Sequence, residues 1–374
     1  MKKILLVICV LFSSVVIAEN TKTNPAQKRV AMIISGHASE GNPALSYDQE
    51  ELAQSYLTLH RNGIAVDIIS PKGGAVLVKN NKDNLDYIQA FKKDTPALTQ
   101  LANTLSAEQA NINHYDGLFI VGGDGAMFDL PSHPHTQRFI KTFVQQEKPI
   151  AAVCHGPAAL VDITLADGRY FVEGKTINSF TETEDRAFKK EHIELYPFIL
   201  QTELEKRGAH FVSNKPMLPY VAQDGNLITA QNPMSVAKAA DALILALGIT
   251  PVPREYFKDE ATFDLLSRAY SEGFSLVGVE IAKQPSAYDY NYMALYGYYA
   301  FQLAKTPEQK QLELTMMSQL RDHVVSFQPQ YQLALISANI EMGLMQKAKE
   351  EYQWWLSRFP DKQMPQSLLK KLSL

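Results

Sequence analysis

The sequence predicts an α/β domain, a parallel sheet with helices on both faces, followed by an all-α region. Three observations carry this prediction. Between residues 29 and 248, short unbroken apolar runs, as expected of strands buried on both faces, alternate with segments of helical spacing. Most runs stop at glycine or proline, the residues that end regular structure. Beyond Gly248 the strand signal fades, and Tyr, Leu, Met and Ala recur at helical spacing.

Taken in order, Val30 to Ile34 is the first buried run. Residues 50–61 have helical spacing and stop at Asn62-Gly63, a C-terminal cap pair. Residues 65–69 are a second strand, closed by Ser70-Pro71 and Gly73-Gly74. Gly117 to Val121 is a third and runs into Gly122-Gly123. Residues 136–146 read as a helix, 149–153 as a fourth strand, and Pro157 to Val161 as the start of a helix. A strand at 175–180, a helix at 195–207, strands at 209–212 and 227–230 and a helix at 233–247 complete the alternation, which implies a parallel sheet. Pro251 and Pro253 mark a boundary, so residues 29–250 form one domain and 251–374 a helical second one. Residues 330–359 read as two helices broken near Gly343. Ala348, Tyr352 and Pro360 match the second half of a tetratricopeptide repeat. Only one copy is discernible and Trp355 stands where that repeat carries a small residue, so a plain helical appendage is the simpler reading.

The chain has 374 residues, 46% hydrophobic and 20% charged, with a net charge of −4, which fits two folded domains. No block of basic residues forms a footprint for nucleic acid. Lys2 and Lys3 precede an apolar run from Ile4 to Ile17, too short to span a bilayer comfortably. Residues 1–18 therefore read as a secretory signal peptide cut after Ala18, and 19–28 as a polar linker. The expectation is a periplasmic or secreted protein with no stable membrane insertion once the signal is removed. Of the two cysteines, Cys9 leaves with the signal and Cys154 remains as a lone thiol.

Cys154 ends a strand and is followed by His155, Gly156 and Pro157. A strand–turn–helix elbow presents one side chain at the C-terminal edge of the sheet, where α/β folds keep their ligand crevices. A helix N-terminus there favours the thiolate and lowers the cysteine pKa. The elbow alone fits a buried free thiol equally well. Gly122-Gly123-Asp124-Gly125 follows the neighbouring strand and offers N–H groups to an oxyanion. Glu50 and Glu51 open the first helix, and Glu182, Glu184 and Asp185 fall in a loop after residues 175–180. His133 and His135 are the only close histidine pair and lack a carboxylate partner, so no metal site is expected. Neither a phosphate loop nor a dinucleotide fingerprint is present, and no cofactor is expected.

Four motifs in order resemble the DJ-1/PfpI superfamily, a class I glutamine-amidotransferase-like group, and within it the glyoxalase III and heat-shock chaperone/deglycase branch. They are residues 122–131 (GGDGAMFDLP), 151–157 (AAVCHGP), 174–181 (GKTINSFT, with Glu184-Asp185 following) and 224–233 (DGNLITAQNP). The resemblance spans about residues 29–248 and implies a flavodoxin-like three-layer sandwich. It implies Cys154 as nucleophile, and His155 as its imidazole, oriented by Glu184 with Asp185 as the near alternative. It implies Glu51 as the carboxylate on the thiol, and an oxyanion and substrate site at Gly123, Asp124, Gly125 and Gly156, with the N–H groups of Gly123 and His155 as donors. The family's glycine turn often reads Gly-Gly-His-Gly, so Asp124 is a departure that bears on substrate preference. The helical tail lies outside the resemblance.

The activity implied is a cofactor-free, glutathione-independent glyoxalase that turns a small reactive carbonyl, a 2-oxoaldehyde such as methylglyoxal, into a 2-hydroxy acid, D-lactate. The alternatives are a PfpI-type cysteine peptidase or amidohydrolase, and a holdase chaperone. A homodimer and a protein partner for the C-terminal helices both stay open.

Overall fold

The computed structural model describes residues 27–78, 83–324 and 327–373. The signal peptide and residues 19–26 of the linker lie outside the described residues. The strands are β1 Arg29–Ile33, β2 Ala65–Ser70, β3 Leu105–Ser106, β4 Gly117–Ile120, β5 Ile150–Val153, β6 Thr176–Ile177, β7 His210–Phe211, β8 Val221–Asp224 and β9 Leu227–Ala230. Among them run the helices α1 Gln49–Arg61, α2 Asp86–Phe91, α3 Thr95–Ala102, α4 Pro134–Gln145, α5 Glu182–Phe188, α6 Leu200–Lys206 and α7 Val236–Ala246. The main sheet has the order β3-β2-β1-β4-β5-β9-β8, with every neighbour parallel except the β8–β9 pair. A small parallel pair, β6 and β7, stands apart.

Alternation along the strands feeds two apolar layers. Val30 and Met32 pack with Leu52, Leu59, Leu243 and Ile244 of α1 and α7 on one face. Ala31 and Ile33 pack with Phe139, Ile140, Leu200 and Leu204 of α4 and α6 on the other. The result is the three-layer sandwich expected. Its parallel strands bring the ends of β1, β4 and β5 to one edge, where α/β folds keep their ligand crevices.

Several elements differ from expectation. Residues 175–180 pair only through β6, because Asn178, Ser179 and Phe180 leave the ladder to fold against the elbow. Phe180 N–H donates to Cys154 O at 2.9 Å. The helix expected over 195–207 starts at Leu200, after a 3-10 turn at Ile193–Leu195. The helix expected from Pro157 is a five-residue 3-10 turn, Gly156–Leu160.

After residues 251–257, helices α8 Lys258–Glu272, α9 Ser275–Lys283, α10 Tyr290–Leu303, α11 Pro307–Leu320, α12 Gln328–Glu341, α13 Met345–Arg358 and α14 Gln366–Lys371 follow. Their core, with Phe263, Leu266, Met293, Tyr296, Met316 and Leu335, includes Met217 and Leu218 from the α/β region. Trp355 is the centre of a second, smaller cluster with Ile336, Ala348, Met364 and Leu372. The helical region is thus built onto the sandwich as well as tethered to it. No helix among the described residues is long and apolar enough to cross a membrane.

Candidate active site

Cys154 sits between β5 and the 3-10 turn with φ of +56°. A non-glycine residue in the left-handed region is strained, and here the surroundings hold it there. Its N–H donates to Ala230 O at 2.8 Å, and its carbonyl takes the Phe180 N–H. The side chain is only 3% exposed.

His155 is fully buried, with Nδ1 3.5 Å from the sulfur and Nε2 2.9 Å from Asp185 Oδ1. A carboxylate at Nε2 calls for the proton on that nitrogen, which leaves Nδ1 as the acceptor facing the thiol. The ring is held between Phe180 at 4.9 Å and Tyr196 at 5.6 Å.

Glu51 comes from the first turn of α1. Asp48 caps that helix, accepting from Glu50 N–H at 2.8 Å and Glu51 N–H at 3.1 Å. Asp48 N–H in turn donates to Gly122 O at 3.1 Å, which ties the helix start to the turn after β4. Glu51 Oε2 then accepts Gly122 N–H at 2.8 Å. Gly122 leaves no room for a side chain, since a Cβ there would stand 2.8 Å from the Cβ of Cys154 and 2.6 Å from Val153 O.

The thiol and the Glu51 carboxyl act as one coupled acid pair. Burial pushes both up, reinforced by the Glu51 charge on the thiol and by the Asp48 charge on the carboxyl. The lowered thiol pKa expected from a helix N-terminus is therefore not met in the resting protein, because a 3-10 turn this short has little dipole and burial outweighs it.

The acid orienting His155 is Asp185, which corrects the assignment to Glu184. Both residues lie on α5, where a loop was expected. Thr181 caps this helix, and Glu184 at the third position folds back to it in a capping box. Glu184 then takes Thr181 Oγ1 at 2.7 Å, Met217 N–H at 2.8 Å and Asn232 Nδ2 at 3.0 Å. It is a structural knot. Asp185 points about 100° further round the helix, at the elbow.

Gly125 does not serve as an oxyanion donor, and neither it nor Gly156 lines the cleft beside Asp124. Gly125 N–H is taken by Ser46 O at 3.0 Å, and a Cβ there would meet Ser35 Oγ at 2.5 Å. A Cβ on Gly156 would meet Ile120 O at 2.6 Å. Both are packing positions. Among the described residues no carbonyl or side chain takes the N–H of Gly123 or of His155, and these two stay available to a ligand oxygen.

Asp124 has company that its sequence context did not reveal. It accepts from Lys189 Nζ at 2.6 Å, His192 Nδ1 at 2.6 Å and Tyr196 OH at 2.9 Å. Burial opposes its charge, but Lys189 foremost, with the His155 and His192 rings, holds its carboxyl down at about 2. Gly123, Asp124, Lys189 and His192, with Ser46 and Asp48 opposite, line a cleft of about 460 Å³. Lys189 follows Asp185 by one helical turn, so the spacing Asp185-x-x-x-Lys189 was the signal that could have found it. Among the described residues no group of three or more His, Cys, Asp or Glu side chains is placed to hold a metal ion.

The model of the DJ-1/PfpI family matches residues 44–245. The chain is 32% identical over 166 residues to the probable glutathione-independent glyoxalase hsp3104 of Schizosaccharomyces pombe, covering 42% of this chain and 73% of that one. It is 28% identical over 206 residues to the glutathione-independent glyoxalase HSP31 of Saccharomyces cerevisiae, covering 53% and 87%. Among solved structures, the Rapid Encystment Protein of 24 kDa from Francisella tularensis superposes with a TM-score of 0.55 at 28% identity, covering 59% of this chain and 99% of that one. Helices α8 to α14 lie outside the family match.

Proposed function

The chain belongs to the DJ-1/PfpI family, and from that premise we propose that it is a cysteine enzyme of the glyoxalase III kind. Its reaction adds water, overall, to a 2-oxoaldehyde such as methylglyoxal and yields a 2-hydroxy acid, D-lactate. The observation that supports this most is the arrangement around one sulfur. His155, backed by Asp185, stands on one side and Glu51 on the other.

In this reading His155 Nδ1 takes the thiol proton, and Asp185 stabilises the imidazolium. The thiolate adds to the aldehyde carbon, forming a C–S bond. The N–H groups of Gly123 and His155 receive the new oxyanion, which takes up a proton to give a hemithioacetal. Glu51 removes the hydrogen of that carbon as a proton, giving an enediol, and a proton returns to the neighbouring carbon. The first carbon is thereby oxidised and the second reduced, so no outside oxidant is needed. Water cleaves the resulting thioester, releasing the hydroxy acid and the thiol.

The test is a lactate assay with purified protein and methylglyoxal. Wild type forms lactate, and Cys154→Ala forms none. Equal turnover by the two would overturn the assignment. Release of amines from peptide or amide substrates, with no action on 2-oxoaldehydes, would mark a hydrolase instead. Export with removal of residues 1–18 belongs to the same reading and predicts a mature chain beginning at Glu19. Edman sequencing of the native protein checks it, and an N-terminus at Met1 would refute it.

A further inference from the structure

The segment from Lys189 to Tyr196 folds over the cleft, and Asp124 is what holds it there. Three of its side chains converge on that one carboxylate: the Lys189 ammonium, the His192 ring and the Tyr196 hydroxyl. Asp124 belongs to the turn whose first glycine lies against both Cys154 and Glu51. Lys189 shares a face of α5 with Asp185, the residue that carries His155. Its Nζ also stands 5.8 Å from the centre of the Phe180 ring, which packs on His155. Two independent anchors, the end of α5 and Asp124, thus fix one ammonium against the turn after β4, whose first glycine lies on Cys154.

We infer that Lys189 is a positioning residue for the nucleophile: its ammonium, held by Asp124, is the counter-charge of the Cys154 thiolate. The inference rests on the reading of Cys154 as nucleophile. The charged and titratable groups on the elements around the sulfur are Glu51 and its helix cap Asp48, His155 with Asp185, and Lys189 and Tyr196 from the covering segment. Burial, Glu51 and Asp48 hold the thiol proton on, and Lys189 acts against them. Asp124 thereby serves as the holder of a cation, a role a histidine at that position could not fill.

The probe is alkylation of Cys154 by iodoacetamide, followed by peptide mapping across pH 6 to about 10. This reagent is uncharged, so losing Lys189 does not change its approach, and the rate follows the thiolate fraction. Lys189→Met is expected to move the profile up by about one pH unit, a rate loss of about tenfold at pH 7. Lys189→Arg keeps the charge and stays within about threefold of wild type. A Lys189→Met profile that superposes on wild type would overturn the inference. So would a Lys189→Arg profile displaced as far as that of Lys189→Met.

The unaltered protein gives an independent reading if the variants fold poorly. An ammonium beside the sulfur makes anionic iodoacetate faster, relative to iodoacetamide, than it is with glutathione, and a ratio at or below that of glutathione counts against Lys189. If Cys154 alkylates as expected but no 2-oxoaldehyde is consumed, the glyoxalase reading fails and the role of Lys189 stands. If the wild-type thiol resists iodoacetamide throughout, both fail.

Discussion

Glu184 and Asp185 are adjacent carboxylates, both fully buried, with opposite jobs. Asp185 touches the imidazole, and Glu184 ties α5 to the residue 217 loop and to Asn232. Asp185→Asn keeps the shape but no longer fixes the His155 proton on Nε2. Turnover is expected to fall by about a hundredfold or more, with little change in melting temperature. Glu184→Ala strands the buried donors of Met217 and Asn232, and its main cost is expected in stability, about 3 kcal/mol by urea denaturation. Equal effects of the two on stability would contradict this division. At this scale the sequence was half legible. Cys154, His155 and Glu51 were singled out and the structure brings them together, and Glu184 was put in the place that Asp185 takes beside His155. The pattern Thr181-x-x-Glu184 is a capping-box signature and would have placed both residues on a helix, with Asp185 facing elsewhere. Lys189 was missed because a lone lysine at a helix end reads as solvated until Asp124 is seen opposite.

The elements that build the site are α1, the turn after β4 and the elbow after β5. The first two meet where Gly123 has φ of +93° and a Cβ would lie 2.4 Å from Asp48 N. Neither this glycine nor Gly122 tolerates a side chain, because backbone atoms of residues 46–48 oppose the first, and Val153 O with the fixed Cβ of Cys154 opposes the second. Gly122→Ala is expected to cost 2 kcal/mol or more, at about the level of overpacked cores, and to displace Glu51 from the sulfur. A variant of wild-type stability by thermal melting would refute that close approach. Buried strands and α1 were legible from apolar runs and a clear C-terminal stop. Helices α2, α3 and α5 and the short strand β3 were not, and neither were two further elements. Strand β8, Val221–Asp224, is a half-exposed edge strand with the mixed sequence VAQD and lacks an apolar run. The 3-10 turn at Gly156–Leu160 starts with Gly-Pro, as a helix would, and its length is set by tertiary packing.

Across the whole molecule, the sandwich and the helical region share a buried polar junction close to the site. Glu50, next to Glu51, accepts from Tyr87 OH at 2.9 Å and from Tyr292 OH on α10 at 2.8 Å. Asp259 on α8 accepts from Gln54 Nε2 at 2.7 Å and lies 3.0 Å from the oxygen of that same Tyr87 hydroxyl, whose one proton goes to either carboxyl group. Burial, with the Glu50 charge, raises the Asp259 carboxyl from 3.8 to about 7. The folded protein therefore keeps a proton that the unfolded chain has already lost between those values. Its contribution to stability falls as pH rises from about 4 through about 7. Asp259→Asn is expected to flatten the pH dependence of melting over that window, and an unchanged slope would refute the assignment. Removing the chain after residue 250 uncovers Met217 and Leu218 and strips Glu50 of Tyr292. Such a fragment is expected to lose soluble yield and to melt lower. The sequence marked the boundary near Pro251 and the helices beyond it, but not this junction, whose members are polar residues far apart in the chain.

The central claim is that Cys154 carries a 2-oxoaldehyde through an enediol to a hydroxy acid. Proton NMR of methylglyoxal turnover in heavy water, with wild type beside Cys154→Ala, tests it most directly. The predicted result is lactate with deuterium at its second carbon from the wild type and no lactate from the variant. Lactate from both proteins, or unconsumed methylglyoxal with both, would contradict it.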